Sequence, residues 1–136
     1  MSEADILIVE DDRGVRRILT DLLTDAGFPV RTASDGVEAL ERCREALPAL
    51  MLTDLNMPRL GGAELVAALE AEGLGSFPVI VVSGEYDVHA HPPAFAAYAE
   101  SKPMDLDRLE DWVHRLMPAS HARSAHSDHG RLMGGA

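Results

Sequence analysis

The sequence predicts an α/β fold, a parallel five-stranded sheet covered on both faces by helices. Three observations lead there. Short apolar runs alternate with segments whose apolar residues recur at i, i+3, i+4 and i+7, and strands alternating with helices imply right-handed crossovers and a parallel sheet. The runs are continuous and end abruptly at polar residues, as strands buried on both faces do. The chain has 136 residues, 46% of them hydrophobic, enough for one domain with a proper core.

Residues 5–9 (Asp5-Ile6-Leu7-Ile8-Val9) form the first apolar run and stop at acids. Val15, Ile18, Leu19, Leu22, Leu23 and Ala26 then make one helical stripe, ended by Gly27 in a C-cap position. Residues 29–33 are a second strand. Ser34 or Asp35 caps a helix running to about Leu47, which Pro48 closes. Residues 49–53 are the third strand, followed by a loop with Pro58, Gly61 and Gly62, and by a helix over 63–72. Residues 78–82 are the fourth strand, rich in valine. Residues 86–98 occupy a helix slot, but Pro92 and Pro93 forbid a helix through its middle, so at best a short helix begins at the prolines. Residues 98–101 complete the sheet as a fifth strand. Asp105 opens a last helix with Leu106, Leu109, Val113 and Leu116 on one face. These elements place one domain over residues 4–117. After Pro118 the composition turns to Ser, His, Gly and Arg without apolar period, so 118–136 read as a disordered polar tail.

Composition excludes several classes. The net charge of −11 opposes direct nucleic-acid or anionic-membrane binding through the whole surface. No apolar run approaches the ~20 residues needed to span a bilayer, and the N-terminus lacks a basic region followed by an apolar stretch. The single cysteine, Cys43, can form no internal disulfide, and a cytoplasmic protein is expected. Cys43 is spaced from Val37, Leu40 and Leu47 as on a buried helix face, which favours packing over reactivity.

In an open parallel sheet, ligands bind beyond the carboxyl ends of the strands. Those ends carry Glu10, Asp11 and Asp12 after the first strand, Asp54 after the third, Ser83 after the fourth and Lys102 after the fifth. Lys102 is the chain's only lysine among twelve basic residues. Lysine offers a compact ammonium suited to a phosphoryl oxygen, although a chance surface lysine is the alternative. Grouped carboxylates repel, by roughly 1 kcal/mol per pair at about 4 Å in water and about 4 kcal/mol near a protein surface. A hard divalent cation removes that penalty, and oxygen ligands with retained water suit Mg²⁺. Helix capping explains Asp12 without a metal, but explains neither Asp54, which precedes a Pro/Gly loop, nor Lys102.

With Ile6-Leu7-Ile8-Val9-Glu10-Asp11-Asp12, Leu52-Thr53-Asp54-Leu55-Asn56-Met57-Pro58, Gly61-Gly62, Val81-Val82-Ser83-Gly84 and Lys102-Pro103 in this order, residues 4–117 resemble the receiver domain of bacterial two-component response regulators. The resemblance implies a flavodoxin-like (βα)₅ three-layer sandwich with strand order 2-1-3-4-5. It implies Asp54 as phosphoacceptor, and Mg²⁺ held by Asp11, Asp54 and the Asn56 backbone carbonyl, with Glu10 reaching the ion through water. Ser83 and Lys102 would contact phosphoryl oxygens, and Pro103 would follow a cis peptide bond. Asn56 and Glu85 would tune self-hydrolysis. The implied protein is no enzyme acting on others, but a phosphoacceptor that catalyses its own phosphorylation and dephosphorylation. Its partners would be a histidine kinase or histidine phosphotransfer protein and an unidentified protein target, with no direct nucleic-acid contact and no membrane.

There are departures from the family pattern. The aromatic usual three residues before the lysine is Ala99 here, and Tyr98, one residue off, should face the other side of the strand. With the helix slot before the fifth strand broken at Pro92-Pro93, the chain resembles a minority of short stand-alone, chemotaxis-type receivers with a reduced fourth helix. A phosphatase of the haloacid-dehalogenase type also uses Asp and Mg²⁺, but it needs a second Asp where this chain has Asn56. An unphosphorylated pseudo-receiver scaffold is disfavoured because every site residue is present. His121, His126 and His129 could suggest a metal tract, yet their spacing in a Gly/Ser tail reads as incidental.

Overall fold

The computed structural model describes residues 5–84 and 88–118. Within them lie five strands and four helices: β1 (Ile6–Val9), α1 (Arg13–Asp25), β2 (Val30–Ala33), α2 (Gly36–Glu45), β3 (Leu50–Thr53), α3 (Gly62–Ala71), β4 (Val79–Ser83), β5 (Tyr98–Ser101) and α4 (Leu106–Leu116). All strands are parallel, in the order β2-β1-β3-β4-β5. This is the predicted sheet.

The continuous apolar strands follow from burial on both faces. Leu7, Val9, Met51, Val79, Val81 and Ala99 point into one core layer with Ala39 and Cys43 of α2 and Leu65 and Leu69 of α3. Their alternates Ile6, Ile8, Leu50, Leu52, Ile80 and Val82 pack against Leu19 and Leu23 of α1 and Leu109 and Val113 of α4. The period-two alternation of side chains thus feeds two layers at once. Tyr98 and Ala99 fall in opposite layers, as their adjacency on one strand requires.

Side-chain caps set the helix starts. Asp12, Asp35 and Asp105 each accept a hydrogen bond from the amide three residues on, at 3.0, 2.8 and 3.0 Å. Gly27, at φ 99°, turns the chain out of α1. Three residues expected on buried faces are less covered than their spacing suggests: Ile18 is 46% exposed, Leu47 43% and Leu106, the first residue of α4, 36%. Ile18 lies at the margin of its stripe, and Leu47 follows the end of α2 at Glu45.

The slot between β4 and β5 differs from the family plan. No helix forms among residues 88–97, not even the short one allowed at the prolines. Instead the Ala96 amide donates to the Pro93 carbonyl at 3.0 Å, closing a turn. Pro92 and Pro93 offer no amide donors for a helical ladder. Val88 is buried, and Phe95 and Ala96 pack on the same layer as Ala99, so apolar turns cover this end of the sheet.

Candidate functional site

Register brings the strand ends together. Val9 pairs with Thr53, Thr53 with Val81, and Ser83 with Ser101, so the residues that follow these strands share one edge. β1 and β3 are neighbours although their connections leave toward opposite sides, which makes their carboxyl ends the switch point of the fold. Backbone bonds hold that point. The Asp54 amide donates to the Val9 carbonyl at 3.1 Å, and the Glu10 amide to the Ala33 carbonyl at 3.0 Å.

Glu10, Asp11 and Asp54 form the acidic cluster, with one carboxylate oxygen from each lying within 4.8 Å of the others. Glu10 and Asp54 are buried, whereas Asp11 is exposed. Asp12 caps α1 instead of joining them. Asp54 is set at the head of a tight loop. Its Oδ1 accepts from the Asn56 amide at 3.2 Å, and the Thr53 hydroxyl donates to its carbonyl at 2.9 Å. Gly62 lets α3 close against that loop: its amide donates to the Leu55 carbonyl at 2.9 Å, and a Cβ there would stand 2.4 Å from the Asp54 carbonyl oxygen.

Lys102 reaches into the cluster, with Nζ 3.0 Å from Asp54 Oδ2 and 3.1 Å from Glu10 Oε1. The peptide bond from Lys102 to Pro103 is cis, and the Lys102 amide donates to the Ser83 carbonyl at 2.9 Å. Ser83 is fully buried at the end of β4. Glu85 lies outside the described residues.

Burial, above all, raises the pKa of Glu10, and the charge of Asp54 adds to it; the Asp12 amide and the Lys102 ammonium pull the other way. Burial alone would lower the pKa of Lys102, but Asp54 and Glu10 outweigh it and the ammonium is held charged. Glu10 Oε1 is buried, and the Lys102 ammonium 3.1 Å away is its one close polar partner among the described residues. A buried carboxylate oxygen that meets only one ammonium, beside two further carboxylates, is a donor set with spare capacity for a hard cation. The residues present therefore fit Mg²⁺.

A second polar group escaped the sequence reading. Glu100, in the middle of β5, is 1% exposed. Arg108 Nη2 and Nε donate to its two oxygens at 3.0 and 3.2 Å, the Tyr98 hydroxyl donates to Oε1, and the Asp105 amide donates to Oε2 at 2.9 Å. Burial, the largest influence, pushes Glu100 up, but these donors hold it below the usual carboxylate range. Tyr98 also stacks on Trp112, with ring centroids 4.7 Å apart. The available signal was an acid inside a strand with a basic residue one helical turn into the next element. The pairing of Arg59 with the α2 cap Asp35, at 2.8 Å, had no comparable signal.

Fold and site together define a response regulator receiver, and comparison with known proteins agrees. The family model described as "Response regulator receiver domain" matches residues 6–114, and the chain belongs to this family of two-component signalling. It is 36% identical over 107 residues to response regulator MprA of Mycobacterium ulcerans, covering 76% of this chain and 46% of that protein. MprA of Mycobacterium tuberculosis (strain H37Ra) is 36% identical over 126 residues, covering 88% of this chain and 54% of the relative. The chain thus spans about half the length of the curated relatives it matches. Among solved structures, chemotaxis response regulator CheY4 of Vibrio cholerae is 28% identical with a TM-score of 0.75, covering 85% of this chain and all of that one. TrrA of Thermotoga maritima, determined in complex with Mg(2+)-BeF, shares the fold at 23% identity, with a TM-score of 0.74 and coverage of 85% and 100%.

Proposed function

We propose that this domain is a phosphorylation-switched binding module that accepts a phosphoryl group from a phosphohistidine donor onto Asp54. The observation that carries the reading is the single lysine of the chain, Lys102, held 3.0 Å from Asp54 beside two further acids. In the transfer, an Asp54 carboxylate oxygen bonds phosphorus while the phosphorus–nitrogen bond of the donor breaks. The imidazole leaves with the bonding electron pair. Lys102 would exchange its contact with Asp54 for a phosphoryl oxygen, and Ser83 would hydrogen-bond another. Asp11, Asp54 and the Asn56 carbonyl would hold Mg²⁺, with Glu10 behind them through water. When bound, the ion supplies charge neutralisation for the group in transfer.

Reset is hydrolysis: water attacks phosphorus, the bond to Asp54 breaks, phosphate departs and the carboxylate returns. Asn56 and Glu85 would orient that water, giving a short-lived phosphorylated state that Glu85→Arg prolongs. Because Ala99 provides no rotating ring, readout would rest on residues 83–93 rather than on an aromatic.

The donor would be a histidine kinase or histidine phosphotransfer protein, and the target another protein in the cytoplasm. The net charge of −11 disfavours nucleic-acid contact by this domain itself. No described helix is long and apolar enough to cross a membrane. The relatives extend well beyond the matched stretch, which favours one second reading, in which the domain regulates a further segment of a longer regulator. The test is incubation with acetyl phosphate and Mg²⁺: one phosphoryl group should add to wild type and none to Asp54→Asn. Labelling of Asp54→Asn would refute the assignment.

A further inference from the structure

We infer that Glu100 is a positioning residue for Lys102, a role that rests on the phosphoacceptor reading above. Lys102 sits on a short link between β5 and α4, and the link is pinned from both sides. On one side the Lys102 amide donates to the Ser83 carbonyl at 2.9 Å. On the other, Glu100 Oε2 accepts the Asp105 amide at 2.9 Å, tying the last strand to the cap residue of α4. Only four residues, 101–104, lie between Glu100 and Asp105, and Lys102 with its anchored amide is one of them. Their Lys102 spans the site to reach Asp54 at 3.0 Å and Glu10 at 3.1 Å.

The choice of residue supports a positional role. Glu100 pairs in register with Val82, on the face of the sheet that carries Ile80 and Val82. Replacing such a network as a whole by apolar residues often leaves a fold equally stable, because desolvating an ion pair offsets much of its attraction. What a hydrophobic residue could not do is accept the Asp105 amide while Arg108 and Tyr98 fix the carboxylate's plane. Arg108 belongs to the first turn of α4, so the network ties strand, link and helix into one rigid unit. A charge that must meet a transferring phosphoryl group gains from such rigidity, since displacement by about 1 Å can cost around a hundredfold in rate.

The experiment is a double-mutant cycle on acetyl phosphate labelling at saturating Mg²⁺, using wild type, Glu100→Leu, Lys102→Ala and the double variant, with thermal midpoints recorded. Glu100→Leu should slow labelling about tenfold when Lys102 is present and by less than about twofold when residue 102 is alanine. Equal slowing in both backgrounds, or none in either, would overturn the positioning role. Should Glu100→Leu fail to fold, Glu100→Gln carries the same cycle. It keeps the shape and an acceptor for Asp105, so a smaller slowing, again confined to the Lys102 background, is expected. Wild type that takes up no phosphoryl group would instead overturn the phosphoacceptor reading itself.

Discussion

Lys102 Nζ lies 3.0 Å from Asp54 Oδ2, although 48 positions separate the two residues in the chain. The contact joins the ends of two strands that are not neighbours, since β4 stands between β3 and β5. Lysine fills the space with a point charge on a flexible stem. Lys102→Arg keeps the charge but presents a planar fork, so phosphorylation should slow by about an order of magnitude or more. Labelling with acetyl phosphate measures it, and a wild-type rate would return Lys102 to an ordinary surface cation.

The acidic cluster makes a separate claim. Asp11 is the exposed member, carries no structural cap and repels its neighbours. Asp11→Ala should therefore abolish Mg²⁺-dependent labelling while leaving the thermal midpoint unchanged or raising it slightly. Labelling of Asp11→Ala as fast as wild type would show that the metal is held elsewhere.

Gly62 links the helix to the site. A Cβ at this position would press to 2.4 Å on the backbone carbonyl of Asp54. Gly62→Ala should thus lower the thermal midpoint and slow labelling together, because relief requires moving the acceptor loop. Of the order of 1–3 kcal/mol of destabilisation is expected, as for other overpacked sites. Denaturant unfolding checks this, and a neutral effect on both properties would contradict the close approach.

Asp35 makes a pH-dependent contribution. The Glu38 amide, foremost, and Arg59 hold its carboxyl below the usual 3.8 despite burial. A depressed folded-state pKa means stabilisation that is present above pH 3.8 and lost as pH falls through the folded value. Asp35→Asn keeps a cap acceptor but removes the charge that Arg59 and the N-terminus of α2 favour, so it should cost roughly 0.5–1 kcal/mol at neutral pH, with the gap to wild type narrowing below pH ~4. Urea unfolding across pH would show it; a gap that persists unchanged at low pH would contradict the linkage.

Cys43 tests the core. Burial pushes its thiol up to about 11, so at pH 8 it is neutral as well as covered. A thiol reagent such as DTNB should fail to label the native protein and react promptly in denaturant. Fast native labelling would mean that α2 does not pack as described.

The residues that were legible in the sequence are those whose position alone reveals them. Glu10, Asp54 and Ser83 each follow an apolar run, Lys102 stands out as the only lysine of the chain directly before Pro103, and a parallel sheet gathers such strand ends on one edge. The three central strands β1, β3 and β4 were legible because burial on both faces leaves continuous apolar runs, whereas the edge strands β2 and β5 carry polar residues and were placed by the alternation with helices. Asp12 illustrates a resolved ambiguity: a run of three acids does not say which one turns back to cap the helix. The segment 88–97 was half legible. Its prolines exclude a long helix, but only the packing of Val88, Phe95 and Ala96 decides that turns replace it. Glu100 was not legible as a structural charge, because its meaning depends on Tyr98, Asp105 and Arg108 converging around it.

The most direct test of the central claim is the intact mass of the protein after incubation with acetyl phosphate, with and without Mg²⁺. The account predicts one added phosphoryl group per chain with Mg²⁺, little without it, and none on Asp54→Asn under either condition. A wild-type chain that remains unlabelled with Mg²⁺, or an Asp54→Asn chain that labels like wild type, would contradict it.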